Sequence, residues 1–438
     1  MTYDEARAFL EETKQYGSVL GLAGIQALME QLSNVQEQLS VIHVAGTNGK
    51  GSTCAMLAAI LQHAGLRVGR YSSPAVFSYE EIYQINGEPI VPADYAECMA
   101  QVKQACDRMV TKGKPHPTSF EIETAVAFLY FAKKKCDIVL LEVGMGGATD
   151  ATNVIRKPVC AVLTDISRDH MGFLGETIAE IATVKAGIIK EHTLVVSAEQ
   201  QPEAMAVIEQ TAKEQAAELV IADTGRIQRA VYNADGMELA LRDRETSEIT
   251  EYSLKLTGAY QVRNALLAVT TAEALQSCGY PITKEDIREG ISQAVWGGRF
   301  ETIHRAPRII IDGAHNEDAA RQLRATIENC FTNETITYII GVLADKEHEK
   351  ILRMLLPYAA KVYTITPDNL RALDGALLCA EAQKYHSDVT NAASVKEAVQ
   401  QAVKGTDGQG VILAFGSLSY LQEVKEAVNE LDASWRQK

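Results

Sequence analysis

The sequence is short of positive charge: 42 lysines and arginines stand against 57 aspartates and glutamates, a formal net charge of −15. Nucleic acids and anionic membrane surfaces are bound through basic faces, so this balance argues against either partner. Any anionic substrate must then be held by local cations, metal ions or backbone N–H groups. No apolar run approaches the ~20 residues needed to span a bilayer. The stretch MTYDEARAFLEETK is acidic and amphipathic and lacks the basic region and apolar run of a secretory signal. The cysteines at 54, 98, 106, 136, 160, 278, 330 and 379 include no CxxC pair, and several lie inside apolar runs. That pattern points to buried free thiols rather than disulfides or zinc ligands. Internal repeats and low-complexity segments are also missing.

What is present is the composition of a soluble globular protein, with 47% apolar and 23% charged residues. A length of 438 residues suits two domains better than one core. From about residue 40, short apolar runs alternate with helical patterns, the rhythm of βαβ units around a parallel sheet. SVIHVAG, RVGRYSS, DIVLLEVG, PVCAVLTDIS and TLVVSAE read as strands, and GSTCAMLAAILQHAG and SFEIETAVAFLYFAKKK as helices. Between about 226 and 256 the texture changes to an alternating pattern around Asp235-Gly236, a hairpin signal. Two helical stretches follow, AYQVRNALLAVTTAEALQ and TKEDIREGISQAV. WGGRFETIHRAP is the best boundary candidate, giving expected domains of 1–296 and 297–438. Beyond it RIIIDGAH, TITYIIGVLAD, KVYTIT and GVILAFGS begin a second strand–helix series. The expected fold class is α/β. A P-loop-type parallel-sheet domain with a small antiparallel hairpin region is followed by a smaller Rossmann-like domain.

The strongest local signal is Gly46-Thr-Asn-Gly-Lys-Gly-Ser52, after an apolar strand and at the start of a helix. That context is what a phosphate-binding loop requires. Glycines turn backbone N–H groups toward phosphate oxygens, the helix N-terminus adds positive potential, and Lys50 supplies a point charge. Thr47, Asn48, Gly49, Lys50, Gly51 and Ser52 are therefore the candidate nucleotide contacts. The loop departs from the strict pattern: Val44 stands where the first glycine belongs, and Gly51 separates Lys50 from Ser52. The competing reading is a glycine-rich turn with an exposed lysine.

Glu142 closes the apolar run DIVLLEVG, just before Gly144-Met-Gly-Gly147. Ligands of open parallel sheets gather at the carboxyl ends of strands. A carboxylate there suits Mg²⁺, although it also suits the capping of a buried strand. His170, Lys185 and Ser73 lie near other strand ends or on a helix; taken singly, a loop histidine is usually structural, a helix lysine is mostly solvated, and Ser73 is ambiguous.

Together these segments resemble the folylpolyglutamate synthase/dihydrofolate synthase family, relatives of the Mur peptidoglycan ligases. The matching pieces are HVAGTNGKGST, YSSP, LLEVGMGGATDATNVI, DHMGFLGETIAEIATVKAGIIK, QVRNALLA, GRFE, DGAHN and GSLSYL, in that order from about residue 20 to beyond 420. The resemblance implies roles for residues that are otherwise mute. Ser73, Glu142 and His170 match magnesium ligands, and Lys185 matches a lysine carried as a carbamate. Asn264, Arg299 and Asp312 match nucleotide contacts, while His315 is expected near the transferred phosphate. Lys50, Lys185 and His315 are the candidate catalytic groups. Asp150, Thr152 and Ser417 match substrate contacts. Asn316 also suits a helix cap.

Two segments depart from the family pattern. GGATDATN replaces the common GGRLDATN through Ala148 and Thr149, and AVFSYEEI stands where an FNERI-like stretch is common. The resemblance places both on the pterin side and so leaves the choice of folate acceptor open.

The resemblance implies ATP-dependent ligation of L-glutamate to a reduced folate through an acyl phosphate, with ATP and Mg²⁺ as cofactors and room for a monovalent cation. Dihydropteroate is a second candidate acceptor. The rivals are a dihydrofolate synthase alone, a Mur-type ligase acting on a UDP-sugar peptide, and a P-loop protein that binds nucleotide and regulates a partner. A monomeric cytoplasmic enzyme is expected.

Overall fold

Continuous apolar runs become the central strands of a sheet covered there on both faces. Val41–Ala45 (β1), Val68–Tyr71 (β2), Tyr83–Ile85 (β3), Glu88–Pro89 (β4), Ile138–Glu142 (β5), Cys160–Leu163 (β6), Leu194–Ala198 (β7) and Glu218–Ala222 (β8) form it. Their order is β4-β3-β2-β5-β1-β6-β7-β8. The pairs from β2 to β8 are parallel, while β3 and β4 add antiparallel at one edge. Every residue of β1, β2, β5, β6 and β7 is buried, which is why these strands read as unbroken apolar runs rather than alternating ones.

The computed structural model describes residues 1–168, 171–244, 246–406, 408 and 410–435. The chain divides into two compact units, Met1–Arg226 with Arg263–Ala294 and Ile227–Val262 with Val295–Lys438. A linear cut at 296/297 lies two residues from the break at Ala294/Val295, but Ile227–Val262 groups with the second unit. Proximity along the chain favours placing that hairpin region in the first domain; its packing puts it with the second.

In the first unit the helices are Tyr3–Thr13 (α1), Ala23–Gln31 (α2), Lys50–His63 (α3), Pro92–Thr111 (α4), Ser119–Lys133 (α5), Met171–Leu174 (α6), Ile178–Ala186 (α7), Pro202–Glu214 (α8), Ala259–Ser277 (α9) and Lys284–Gln293 (α10). Helix α9 begins in the second unit and continues into the first. Capping boxes start α1, α5, α7 and α10, at Thr2/Glu5, Thr118/Glu121, Thr177/Glu180 and Thr283/Asp286. Each such cap stabilises its helix by about 1 kcal/mol. Helix α3 is apolar nearly all round, with Cys54, Met56, Leu57, Ile60 and Leu61 buried. A helix of that kind must be covered on opposite sides. The sheet covers one side, and α10 covers another through Gly290, where an added Cβ would lie 2.5 Å from the Ile60 Cα. The α3 helix stops as the sequence suggests, with Gly65 left-handed at φ 83° just beyond it. One core cluster joins Leu28, Met99, Phe128 and Phe131 to Val41, Val139 and Leu141. Another joins Ile181 and Ile208 to Ala161 and Leu163.

The second unit holds two sheets. Ile227–Asn233 (β9), Gly236–Arg242 (β10) and Ile249–Leu254 (β11) make an antiparallel sheet whose first turn lies at Ala234-Asp235. Glu301–Arg305 (β12), Arg308–Ile311 (β13), Ile336–Ile340 (β14), Lys361–Thr364 (β15), Val389–Asn391 (β16) and Val411–Phe415 (β17) form the other, in the order β12-β13-β17-β14-β15-β16. It is parallel except for β12. Helix α11 (Glu317–Cys330) follows β13.

Among the described residues no helix is long and apolar enough to cross a membrane. All eight cysteines are free thiols. Cys278 is exposed and Cys136 and Cys330 are half-buried, so the expectation of buried thiols holds for the other five.

Candidate active site

Strand register gathers the candidates of the first unit at one end of its sheet. Val44 of β1 pairs with Glu142 of β5, and Tyr71 of β2 pairs with Leu141. Glu142 therefore stands beside the strand that runs into Gly46–Ser52, and Ser73 leaves the neighbouring strand at the same end. Glu142 is 6% exposed and Ser73 half-buried. Their carboxylate and hydroxyl oxygens are donors of the type that a hard divalent cation takes. Among the described residues no three His, Cys, Asp or Glu side chains cluster to hold a metal. His170, the third expected ligand, lies outside the described residues.

The phosphate loop takes its shape from two glycines and from the chain after β6. Gly46 and Gly49 have φ of 152° and 90°, where a side chain would be strained. The Thr47 N–H donates to the Asp165 carbonyl at 2.7 Å, and the Thr47 hydroxyl donates to the Ser167 carbonyl at 2.9 Å. Asn48 Nδ2 donates to Ser167 Oγ at 3.2 Å. Lys50 Nζ donates to the Gly46 and Thr47 carbonyls, both at 3.2 Å, so its charge sits over the loop. Lys185, only 4% exposed on α7, donates to the same Gly46 carbonyl at 2.7 Å. Asn264 of α9 packs against the loop closely enough that a Cβ on Gly49 would lie 2.3 Å from its Oδ1. Ser52 and Gly51 are buried in the first turn of α3. Thr47 to Ser52, Lys185 and Asn264 thus converge on one loop.

Asp150 and Thr152 belong to the segment after Glu142. The Asp150 Oδ1 accepts the Thr152 N–H at 2.9 Å and the Thr152 hydroxyl at 2.6 Å, while Oδ2 accepts the Met145 N–H at 2.8 Å. Burial raises the Asp150 pKa and these donors oppose the rise. Phe120 and the same carboxylate both pack against Gly144, where an added Cβ would lie 2.6 Å from the ring and 3.3 Å from Asp150 Oδ2. Thr152 is fully buried. Its hydroxyl also meets His43 Nε2 at 2.9 Å. Burial, then the positive charge of Lys190, push the His43 pKa down to about 3. His43 opens the matched run HVAGTNGKGST, but its place inside an apolar strand gives no sign of this contact with Thr152.

In the second unit, β13 and β17 are parallel neighbours, so the loops following them lie side by side. Asp312 follows β13 and is 2% exposed. Its Oδ2 accepts the Tyr260 hydroxyl and the Phe300 N–H, each at 2.8 Å, and its Oδ1 accepts the Ala314 N–H at 2.8 Å. Burial raises its pKa and the Arg299 charge opposes that rise. Arg299 lies against Gly313, where a Cβ would meet Nη1 at 2.1 Å. His315 Nδ1 is 2.8 Å from the Gly313 carbonyl. Asn316 caps α11 by accepting the Ala319 N–H at 2.8 Å. Ser417, after β17, is 4% exposed and accepts the Ser419 N–H at 3.2 Å. The second unit thus brings together Arg299, Asp312, His315 and Ser417.

The Mur ligase middle domain matches residues 44–272, and the Mur ligase glutamate ligase domain matches residues 298–418. The chain is 35% identical over 376 residues to the dihydrofolate synthase/folylpolyglutamate synthase of Bacillus subtilis, covering 84% of this chain and 86% of that one. The chain belongs to the folylpolyglutamate synthase/dihydrofolate synthase family of Mur ligases. Folylpolyglutamate synthase of Lacticaseibacillus casei is also 35% identical, over 86% of this chain and 88% of its own. Among solved structures, Mycobacterium tuberculosis folylpolyglutamate synthase complexed with ADP and AMPPCP superposes with a TM-score of 0.87 at 31% identity, covering 98% of both chains. The Escherichia coli FolC complex with DHPP and ADP gives 0.84 at 28% identity, over 99% of this chain and 98% of that one. The family membership accounts for the α/β architecture of both units, the parallel sheet of the first and the small antiparallel sheet within the second.

Proposed function

We propose that this protein is an ATP-dependent ligase that joins the amino group of L-glutamate to the carboxylate of a reduced folate. Dihydropteroate is proposed as a second acceptor, giving dihydrofolate. The observation that carries this reading is the loop Gly46–Ser52 between β1 and α3, with Lys50, Lys185 and Asn264 converging on it. Complexes of relatives with ADP and AMPPCP support ATP as its ligand.

A carboxylate does not form an amide unaided at neutral pH, because oxide is a poor leaving group. In the proposed route an oxygen of the acceptor carboxylate attacks the γ-phosphorus of ATP, and ADP leaves. The glutamate amine then attacks the acyl carbon, loses a proton, and phosphate leaves. Thr47 to Ser52 hold the nucleotide phosphates, and Lys50 offsets the charge that spreads over the transferring oxygens. Ser73 and Glu142, with His170, are proposed to hold Mg²⁺, which supplies further charge neutralisation at those oxygens. Lys185 is proposed to be carried as a carbamate. That group keeps one N–H on Nζ for the Gly46 carbonyl while turning a cation into an anion. Arg299 and Asp312 are assigned to the nucleotide, His315 to the transferred phosphate, and Asp150, Thr152 and Ser417 to the acceptor side. Residues 1–296 are taken as the ATP-binding domain and 297–438 as the ligase domain, in a monomeric cytoplasmic enzyme.

The test is to incubate the protein with Mg-ATP and L-glutamate, offering tetrahydrofolate monoglutamate in one tube and dihydropteroate in another, and to separate ADP and amide by chromatography. Product in both tubes is expected. Product from tetrahydrofolate alone removes the second acceptor, and ATP hydrolysis without amide in either tube overturns the reading.

A further inference from the structure

His43 is fully buried in β1, three residues before the phosphate loop, yet its hydrogen bond leads away from that loop. Its Nε2 lies 2.9 Å from Thr152 Oγ1, on the short helical turn Ala151–Val154. Donor counting fixes the direction. Thr152 has one hydroxyl proton, and it is donated to Asp150 Oδ1, 2.6 Å away, on a carboxyl whose two oxygens also accept the Thr152 and Met145 N–H groups. The imidazole must therefore donate from Nε2, which leaves Nδ1 without a proton. Among the described residues Nδ1 has no hydrogen-bond partner. An aliphatic side chain would fill the same strand position without stranding a ring nitrogen. Among the described residues the bond to Thr152 is thus the ring's only polar contact. From Thr152 the chain of bonds continues through Asp150 to the Met145 N–H at 2.8 Å, spanning the segment that follows Glu142.

We propose that His43 is a positioning residue for the acceptor substrate: its Nε2–H commits the Thr152 hydroxyl proton to Asp150 and so fixes the shape of the 145–152 segment. The proposal rests on the reading that Asp150 belongs to the acceptor side of a glutamate ligase. It makes a distinction that packing alone does not. His43 sits on the strand that feeds the phosphate loop, so damage to that strand raises the KM for MgATP. Loss of the bond to Thr152 acts through Asp150 and raises the KM for the acceptor.

The experiment is steady-state ligation with tetrahydrofolate monoglutamate, MgATP and L-glutamate, each varied in turn. The proteins are wild type, His43→Leu, His43→Gln, Thr152→Val and the His43→Leu/Thr152→Val double variant. His43→Leu is expected to raise the acceptor KM about 3–10-fold, the effect of one buried hydrogen bond, with the KM for MgATP within about two-fold of wild type. His43→Gln, whose amide N–H replaces the imidazole N–H, restores the acceptor KM. The double variant matches Thr152→Val, because the bond can be lost only once. If His43→Leu does not fold, His43→Val, which suits a buried strand, removes the same Nε2–H and must show the same split. A rise confined to the KM for MgATP, additive losses in the double variant, or a Gln variant as impaired as the Leu variant would each overturn the proposal. A wild-type protein that makes no amide overturns the ligase reading and this inference with it. An active wild type with unaltered variants overturns the inference alone.

Discussion

Replacing Gly290 by alanine tests how the phosphate-loop helix is held. An ideal Cβ at 290 would lie 2.5 Å from the Ile60 Cα, 2.9 Å from the Ile60 N and 2.9 Å from the Ala59 carbonyl oxygen. All three are backbone atoms of α3, so none can swing aside as a side chain would. Relieving the contact requires α10 and α3 to separate by about 1 Å, which also thins the dispersion contacts of Ile287 and Ile291. Overpacking costs about 1–3 kcal/mol, and about 2–3 kcal/mol where, as here, the clash is with backbone that cannot yield. The gain in helix propensity from glycine to alanine returns about 1 kcal/mol. A net loss of about 1–2 kcal/mol is expected, a fall of about 2–8 °C in Tm for a unit of this size. Differential scanning calorimetry measures it. Because α3 begins at Lys50, the KM for MgATP should rise with the fall in Tm. A Gly290→Ala protein as stable as wild type, or more stable by the propensity gain, would refute the view that these helices close on backbone at this point.

Arg226 is 7% exposed and donates two hydrogen bonds, 2.8 and 2.9 Å, to the Glu273 carboxylate. Glu273→Met leaves that guanidinium buried without its anion, and a loss of about 2–4 kcal/mol is expected in a denaturant midpoint, reduced from a wholly buried pair by the exposure of Glu273. The Arg226→Met/Glu273→Met double variant should be more stable than Glu273→Met; equal stability would count against the argument. For His43 the folded pKa, about 3, lies below the ~6.5 of an unfolded chain. The unfolded chain alone takes up a proton as pH falls, so this contribution to stability is fully present above pH ~6.5 and is lost toward pH 3. Between pH 7 and 5, wild type should lose about 2 kcal/mol relative to His43→Gln, measured as urea midpoints at the two pH values. A difference that does not change with pH would refute the assignment of a neutral buried ring.

Features written within a few residues are legible along the chain. The phosphate loop is one, because strand, left-handed glycine and helix N-terminus are successive. Asn316 is another: its cap reaches only to Ala319. Glu142 is legible at the end of an apolar run for the same reason. The short edge strands β3 and β4, and the half-exposed β8, are not, because their patterns are brief or mixed. Helix α4 is absent from the expected elements, although its buried residues Tyr95, Met99, Val102, Cys106 and Met109 recur at helical spacing.

Local conformation and family membership are therefore carried by the chain itself. Glycine φ values, helix caps and unbroken apolar strands depend on neighbours in sequence. Which distant groups meet is a matter of tertiary packing. His43 and Thr152 are 109 residues apart, and Thr47 and Ser167 are 120 apart. The order β2-β5-β1-β6 brings the ends of those strands together. The same holds for the Ile227–Val262 stretch, which joins the second unit through packing. Such pairings are fixed by burial and hydrogen bonding across the sheet, and no periodicity along the chain encodes them.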